Sequence, residues 1–80
     1  MTEIMKYNEV FMKLFKLEPQ QLHELKYQDV IDWDSIGHME LMTVLESTFS
    51  IQMDIDDIID FSSYQKGIEI LGKYGVQFDS

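Results

Sequence analysis

The spacing of apolar residues restricts this 80-residue chain to a helical fold, because in separate segments they recur at steps of three and four. Thr2 is predicted to cap the first helix. Pro19 is predicted to end it near Leu17, since proline cannot continue a helix and the residue before it avoids helical geometry. Pro19 can then open one short turn at 20–22. The inner face of this helix is predicted at Ile4, Tyr7, Phe11 and Leu14, with Val10 and Phe15 beside them.

A long connection follows between Glu18 and Trp33, where the helical spacing is lost. Loops of this length without structure of their own are uncommon unless they are functional. Four aliphatic residues in the loop are predicted to hold it against the core. They are Leu22, Leu25, Val30 and Ile31.

The second helix is predicted to begin at Asp34 or Ser35 and to end near Ser50. Its inner face is predicted at Met39, Met42, Leu45 and Phe49, with Leu41 beside them. A brief third helix over 53–61 is long enough for about two turns.

Ser62 or Ser63 is predicted to cap a last helix, and Gly72 or Gly75 to end it. The inner face of this helix is predicted at Tyr64, Ile68 and Leu71. Gly67 lies inside it, where glycine costs roughly 1 kcal/mol relative to alanine. We interpret Gly67 as a close approach of two helices, with a tolerated weakness as the alternative.

The chain is therefore predicted to be one all-α domain over residues 1–80. It is expected to form a small bundle of three main helices plus one short helix, with a long loop between helices one and two.

The composition excludes several classes of function. The chain has no cysteine, which rules out disulfides, thiolate metal sites and a cysteine nucleophile. Fifteen acids stand against six lysines, and the net charge of -9 should repel nucleic acid and anionic lipid while attracting basic protein surfaces. The chain has no run of about 18 apolar residues, so membrane insertion is not expected. A cytoplasmic location is expected.

Asp34, Ser35 and Ile36 lie where the loop gives way to the second helix. Taken alone, they fit a helix cap followed by an ordinary first-turn residue. From Trp33 to Leu71, however, the sequence resembles the acyl carrier and peptidyl carrier proteins, whose attachment motif is Asp-Ser-Leu at the same helix start. The matching positions are Asp34-Ser35-Ile36, Glu40-Leu41, Leu45-Glu46, Phe49, Ile51, the acidic stretch 54–57, Phe61-Ser62-Ser63-Tyr64 and Ile68.

This resemblance implies that Ser35 carries 4'-phosphopantetheine from coenzyme A, and that an acid is bound to the arm as a thioester. The free amides and positive dipole of a helix start favour the phosphodiester of such a phosphoprotein. The implied partners are a phosphopantetheinyl transferase, an acyl-loading ligase or transferase, and downstream acyl-processing enzymes. A monomer is expected. Trp33 and Ile36 replace the alanine and leucine of central fatty acid carriers, which suggests a specialised biosynthetic pathway.

The resemblance also assigns two surfaces. Partner recognition is expected at Asp34, Ile36, Glu40, Glu46, Asp56 and Asp57, with a merely solvated acidic face as the alternative. A cavity for an acyl chain is expected among Met39, Leu45, Phe49, Ile58, Ile59 and Ile68, with ordinary core packing as the alternative.

The two aromatic residues nearest the motif have open roles. Trp33 can pack over the end of the bundle or line the exit of the arm. His38 can be a solvated surface residue or can lie near the phosphate of the arm. No base for a serine nucleophile is visible at Ser35, so the chain is not expected to be an enzyme.

A calcium site is a third possible function. The stretch 32–37 resembles the opening of an EF-hand loop, but Ile36 and Thr43 stand where oxygen ligands are required, so no metal site is assigned. Two alternatives to a carrier remain at this point, an unmodified acidic helical interaction module and a calcium-responsive switch.

Overall fold

The computed structural model describes residues 2–78 and shows four α-helices and one 3-10 turn in them, with no strand in that range. The radius of gyration is 11.4 Å, close to the value of about 12 Å for a folded chain of this length. These observations confirm the predicted small all-α bundle. The elements are α1 (Glu3–Phe15), the 3-10 turn (Pro19–Gln21), α2 (Ser35–Phe49), α3 (Ile55–Asp60) and α4 (Tyr64–Lys73).

Helix α1 begins at the predicted cap. The Thr2 side chain accepts a hydrogen bond from the Met5 amide at 3.3 Å. The helix ends at Phe15, two residues before the predicted end, because Lys16 takes a left-handed conformation with φ 57°. Tyr7, Phe11 and Phe15 are buried, whereas the other predicted inner positions are only half-buried.

The long loop is fixed to the start of α4 by two backbone hydrogen bonds. The Tyr27 amide donates to the Ser62 carbonyl and the Tyr64 amide donates to the Leu25 carbonyl, both at 2.9 Å. Leu25 is buried, as predicted, and so is Leu22. Ile31 was wrongly predicted to face the core, and it is 93% exposed.

The chain turns just before α2, which explains the position of Ile31. The Trp33 amide donates to the Val30 carbonyl at 3.1 Å, and this turn directs the Trp33 side chain inward. Trp33 is fully buried and stacks on Phe15, with ring centroids 5.5 Å apart. Of the two roles considered for Trp33, packing on the bundle is therefore the one confirmed.

Helix α4 meets the Tyr7 side chain of α1 at Gly67. A Cβ atom at this position would lie 2.7 Å from Phe61 Cε1 and closer still to the Tyr7 hydroxyl. A close approach at Gly67 is therefore confirmed, but it is made by two side chains, that of Tyr7 on α1 and that of Phe61. Tyr7 is held there because its hydroxyl donates to the Tyr64 carbonyl at 2.8 Å. Burial raises the pKa of Tyr7 well above its usual range, so the hydroxyl remains a donor.

Helix α4 ends where glycine was predicted to end it. Gly75 has φ 90°, a left-handed conformation that favours glycine, and it follows the last helical residues. Gly72 instead lies within the helix. Among residues 2–78, no helix combines the length and the apolar character that crossing a membrane requires.

Candidate functional site

Ser35 is the first residue of α2 and is exposed to solvent. Asp34 caps this helix through a side-chain oxygen that accepts a hydrogen bond from the Gly37 amide at 2.8 Å. The first amides of a helix have no partner within the helix, so this end carries partial positive charge. The Ser35 hydroxyl therefore lies at an accessible position where an attached phosphate would be stabilised.

The loop lies directly on the first turn of α2. A Cβ atom on residue 37 would come under 3.0 Å from the Asp32 carbonyl oxygen, a separation that real Cβ atoms essentially never show. Only glycine at this position lets the loop pass so close to the helix. This role of Gly37 was not predicted from the sequence, although a glycine in the first turn of a predicted helix was the available signal.

His38 joins three parts of the site. The indole N–H of Trp33 donates to His38 Nδ1 at 2.9 Å, and His38 Nε2 lies 2.8 Å from the Ile58 carbonyl oxygen. Because indole nitrogen is only a donor, Nδ1 must be the acceptor, and Nε2 carries the proton that is donated to Ile58. His38 is thus half-buried and structural, which contradicts the interpretation as a solvated surface residue.

An open groove of about 340 Å³ lies beside Ser35 between α2 and α3. Its lining is mainly apolar, with two serines and one histidine. The lining residues are Tyr27, Ser35, His38, Met39, Ile58, Ile59, Phe61 and Ser62. Its volume is at the lower end of the range of about 300–1,000 Å³ for small-molecule sites.

The structure separates the six residues that were assigned to one acyl-chain cavity. Met39, Ile58 and Ile59 line the groove beside Ser35, but Leu45 is fully buried in the core. Phe49 and Ile68 are half-buried against the core and do not line this groove. The six residues therefore do not line one open cavity in this structure.

Helix α2 is rotated relative to the predicted inner face. Met39 is 54% exposed, whereas Leu41, Met42 and Leu45 are buried. Gly37 faces the loop, and Leu41, one turn later, faces the core. This orientation of the helix turns Met39 outward. Met39 is available to line the surface groove for this reason.

The residues assigned to partner recognition also divide into two groups. Asp34, Ile36 and Glu40 are exposed and line a second groove, next to the first turn of α2, that also contains Ile31. Asp56 is exposed in the first turn of α3.

Glu46 and Asp57 instead have partners within the fold. The Glu46 carboxylate accepts a hydrogen bond from the Met53 amide at 2.8 Å. Asp57 accepts from Lys73 at 2.6 Å and from the Tyr74 hydroxyl at 2.5 Å. These hydrogen bonds, the one from Lys73 first, hold the pKa of Asp57 below its usual range. Both side chains therefore stabilise the position of the α3 segment.

Exposed apolar side chains surround the start of α2. Ile31, Ile36 and Ile59 are 93%, 75% and 74% exposed. Isolated exposed apolar residues are ordinary in folded proteins, but a cluster near one accessible hydroxyl favours a contact surface. The exposure of Ile31 was not predicted, because its aliphatic character indicated burial.

Within residues 2–78, no group of three or more histidine or carboxylate side chains is placed to hold a metal ion. Comparisons of this chain with protein families, with curated proteins and with solved structures give no match.

Proposed function

We propose that this chain is an acyl carrier protein, which holds an acid as a thioester on a 4'-phosphopantetheine arm attached to Ser35. The observation that carries the proposal is the exposed hydroxyl of Ser35 at the first position of α2. The protein has no catalytic role in this proposal. Partner enzymes attach the arm, load the acid and process it.

The surroundings of Ser35 fit a phosphopantetheine group. A phosphodiester at this point would be stabilised by the first-turn amides of α2 and by the helix dipole. The apolar groove begins at Ser35 itself, and Met39 and Ile59 offer it apolar contacts. When it is bound, the arm supplies the thiol that this cysteine-free chain lacks.

The loop and the helix cap support a role in presentation. Gly37 and the Asp32 carbonyl bring the loop against the first turn, and Trp33 anchors that loop in the core. Ser35 is therefore held on a rigid part of the fold rather than on a mobile tip. A modifying enzyme meets Ser35 on an anchored helix start, which reduces the entropy lost on docking.

The surface around Ser35 suits basic partner enzymes. Ile31 and Ile36 offer apolar contact area, and Asp34 and Glu40 lie in the same groove. The net charge of -9 attracts a basic surface and speeds encounter. A monomer that visits several enzymes in the cytoplasm, within a specialised biosynthetic pathway, fits these properties.

The test is attachment of the arm in vitro. The purified chain is incubated with coenzyme A and a phosphopantetheinyl transferase of broad specificity, and the intact mass is measured. We expect one added phosphopantetheine in the wild type and in Ser62→Ala, and none in Ser35→Ala. Ser62 is the matched control because it is exposed and lines the same groove.

An unchanged mass of the folded wild type would contradict the proposal. The remaining candidate would then be the unmodified acidic interaction module. Modification that persists in Ser35→Ala would also contradict it, since another hydroxyl would be the acceptor.

A further inference from the structure

We infer that the acid carried on Ser35 lies along the surface groove and does not enter the interior of the bundle, so that the carried acid is short or polar. This inference rests on the proposed attachment at Ser35 and adds the substrate class. His38 is the positioning residue that closes the interior.

The first observation is the set of bonds that His38 makes between α2 and α3. Its two ring nitrogens are both used, one by the Trp33 indole and one by the Ile58 carbonyl. Separating α2 from α3 to admit a chain would break the bond to Ile58. The His38 N–H would then lose its acceptor, and the Ile58 carbonyl would keep only the long bond from the Phe61 amide at 3.4 Å, which costs free energy.

The second observation is the aromatic wall behind His38. The rings of Trp33 and His38 are stacked at 17° with centroids 6.2 Å apart, and the Phe61 ring lies 6.0 Å from His38. Trp33 and Phe61 are 0% and 1% exposed. Phe61, which lines the groove, is therefore already packed on the core, and Trp33 is buried behind His38.

The third observation is the filled interior on the far side of this wall. Leu41, Met42 and Leu45 are at most 1% exposed. Tyr7 and Phe61 already fill the space at Gly67. Adding volume to a close-packed core forces side chains out of their preferred positions and destabilises the fold.

The groove itself gives the limit on the cargo. Its volume of about 340 Å³ must accommodate the part of the arm nearest Ser35 before any of the acid. Past Met39, a long alkyl chain would reach only a second and more open groove, where much of its apolar surface would stay in contact with water. That groove is lined by Ser35, Ile36, Met39, Glu40, Thr43 and Val44. A short or polar acid avoids this cost.

The test uses two methionines as reporters. Met39 lines the groove and Met42 is buried in the core, one turn further along α2. The arm-bearing protein is prepared with acetyl, hexanoyl and dodecanoyl groups on the thiol, and labelled methionine methyl resonances are recorded together with the melting temperature. Assignment uses Met39→Leu and Met42→Leu.

We expect the Met39 methyl resonance to shift between the arm-free and the loaded forms. The Met42 resonance and the melting temperature should be the same for all three acyl groups. A Met42 shift that grows from acetyl to dodecanoyl, with a rising melting temperature, would overturn the inference. Failure of the proposed function is distinguishable, because the intact mass would show no arm before any chain is compared.

A second comparison tests the role of His38. In dodecanoyl-loaded His38→Ala, we expect the Met42 methyl to shift, because the barrier between α2 and α3 is weakened. His23→Ala is the matched control, since His23 is exposed in the long loop, and it should behave as the wild type. If folded His38→Ala shows no shift of the Met42 methyl resonance on loading with dodecanoyl, as in the control, His38 is not the closing residue.

Discussion

Replacing Gly37 with alanine tests whether the loop is fixed on the first turn of α2. The new Cβ atom would lie under 3.0 Å from the Asp32 carbonyl oxygen and 3.1 Å from its carbonyl carbon. Both are backbone atoms, and Trp33, the next residue, is fully buried, so the loop cannot move away cheaply. Overpacking of this kind costs about 1–3 kcal/mol, and the upper end applies to a backbone clash.

Alanine recovers about 1 kcal/mol of helix propensity, which leaves a net loss of about 2 kcal/mol. For a domain of this size, each kcal/mol changes the melting temperature by about 4–8 °C. Gly37→Ala should therefore melt about 8–16 °C below the wild type, measured by circular dichroism. Gly72→Ala is the matched control in α4, because a Cβ there meets nothing within 4 Å.

The control should raise the melting temperature, by about 4–8 °C if the full helix propensity is realised. The two substitutions are chemically identical and differ only in their surroundings. If Gly37→Ala is as stabilising as Gly72→Ala, the loop does not rest on the helix start, and the reasoning on how Ser35 is presented is refuted.

Three further predictions concern packing and charge. Gly67→Ala should lower the melting temperature, because its Cβ would collide with Phe61 and the Tyr7 hydroxyl. The measurement is thermal unfolding, and a rise would contradict the close approach. Asp57→Asn should destabilise the fold at neutral pH, whereas Asp56→Asn, at an exposed neighbour, should not. The pKa of Asp57 is lowered by folding, so its contribution is present above the usual aspartate range of about 4 and is lost as the pH falls through the lowered value. The difference in stability between the wild type and Asp57→Asn should therefore shrink on acidification. A difference that grows would refute this role of Asp57. Finally, added sodium chloride should raise the melting temperature, since it screens repulsion in a chain of net charge -9. A melting temperature that falls with salt would show that attractive ion pairs dominate.

Much of the fold could be predicted from the sequence because it depends on local spacing. Apolar residues at helical intervals located α1, α2 and α4, and Thr2 and Asp34 cap their helices as expected. Gly67 could be interpreted correctly because glycine is unfavourable inside a helix without a packing reason.

The parts that could not be predicted depend on the path of the loop and on side chains that meet only in the folded chain. Ile31 and Met39 are apolar and were placed inside, but the turn at Trp33 and the contact of Gly37 with the loop rotate both outward. His38 has one partner on the loop, Trp33, and one on α3, Ile58. Ile58 is 20 residues away in the sequence. No local pattern indicates such a contact, and the division of the six predicted cavity residues between groove and core follows from the same limitation.

The measurement that tests the central claim most directly is the state of Ser35 in the protein purified from its own cells. Intact mass and peptide mapping report whether a phosphopantetheine ester is present, and on which residue. We predict the ester on the peptide that contains Ser35 and on no other. An unmodified Ser35, in cells where another carrier protein is fully modified, would contradict the account.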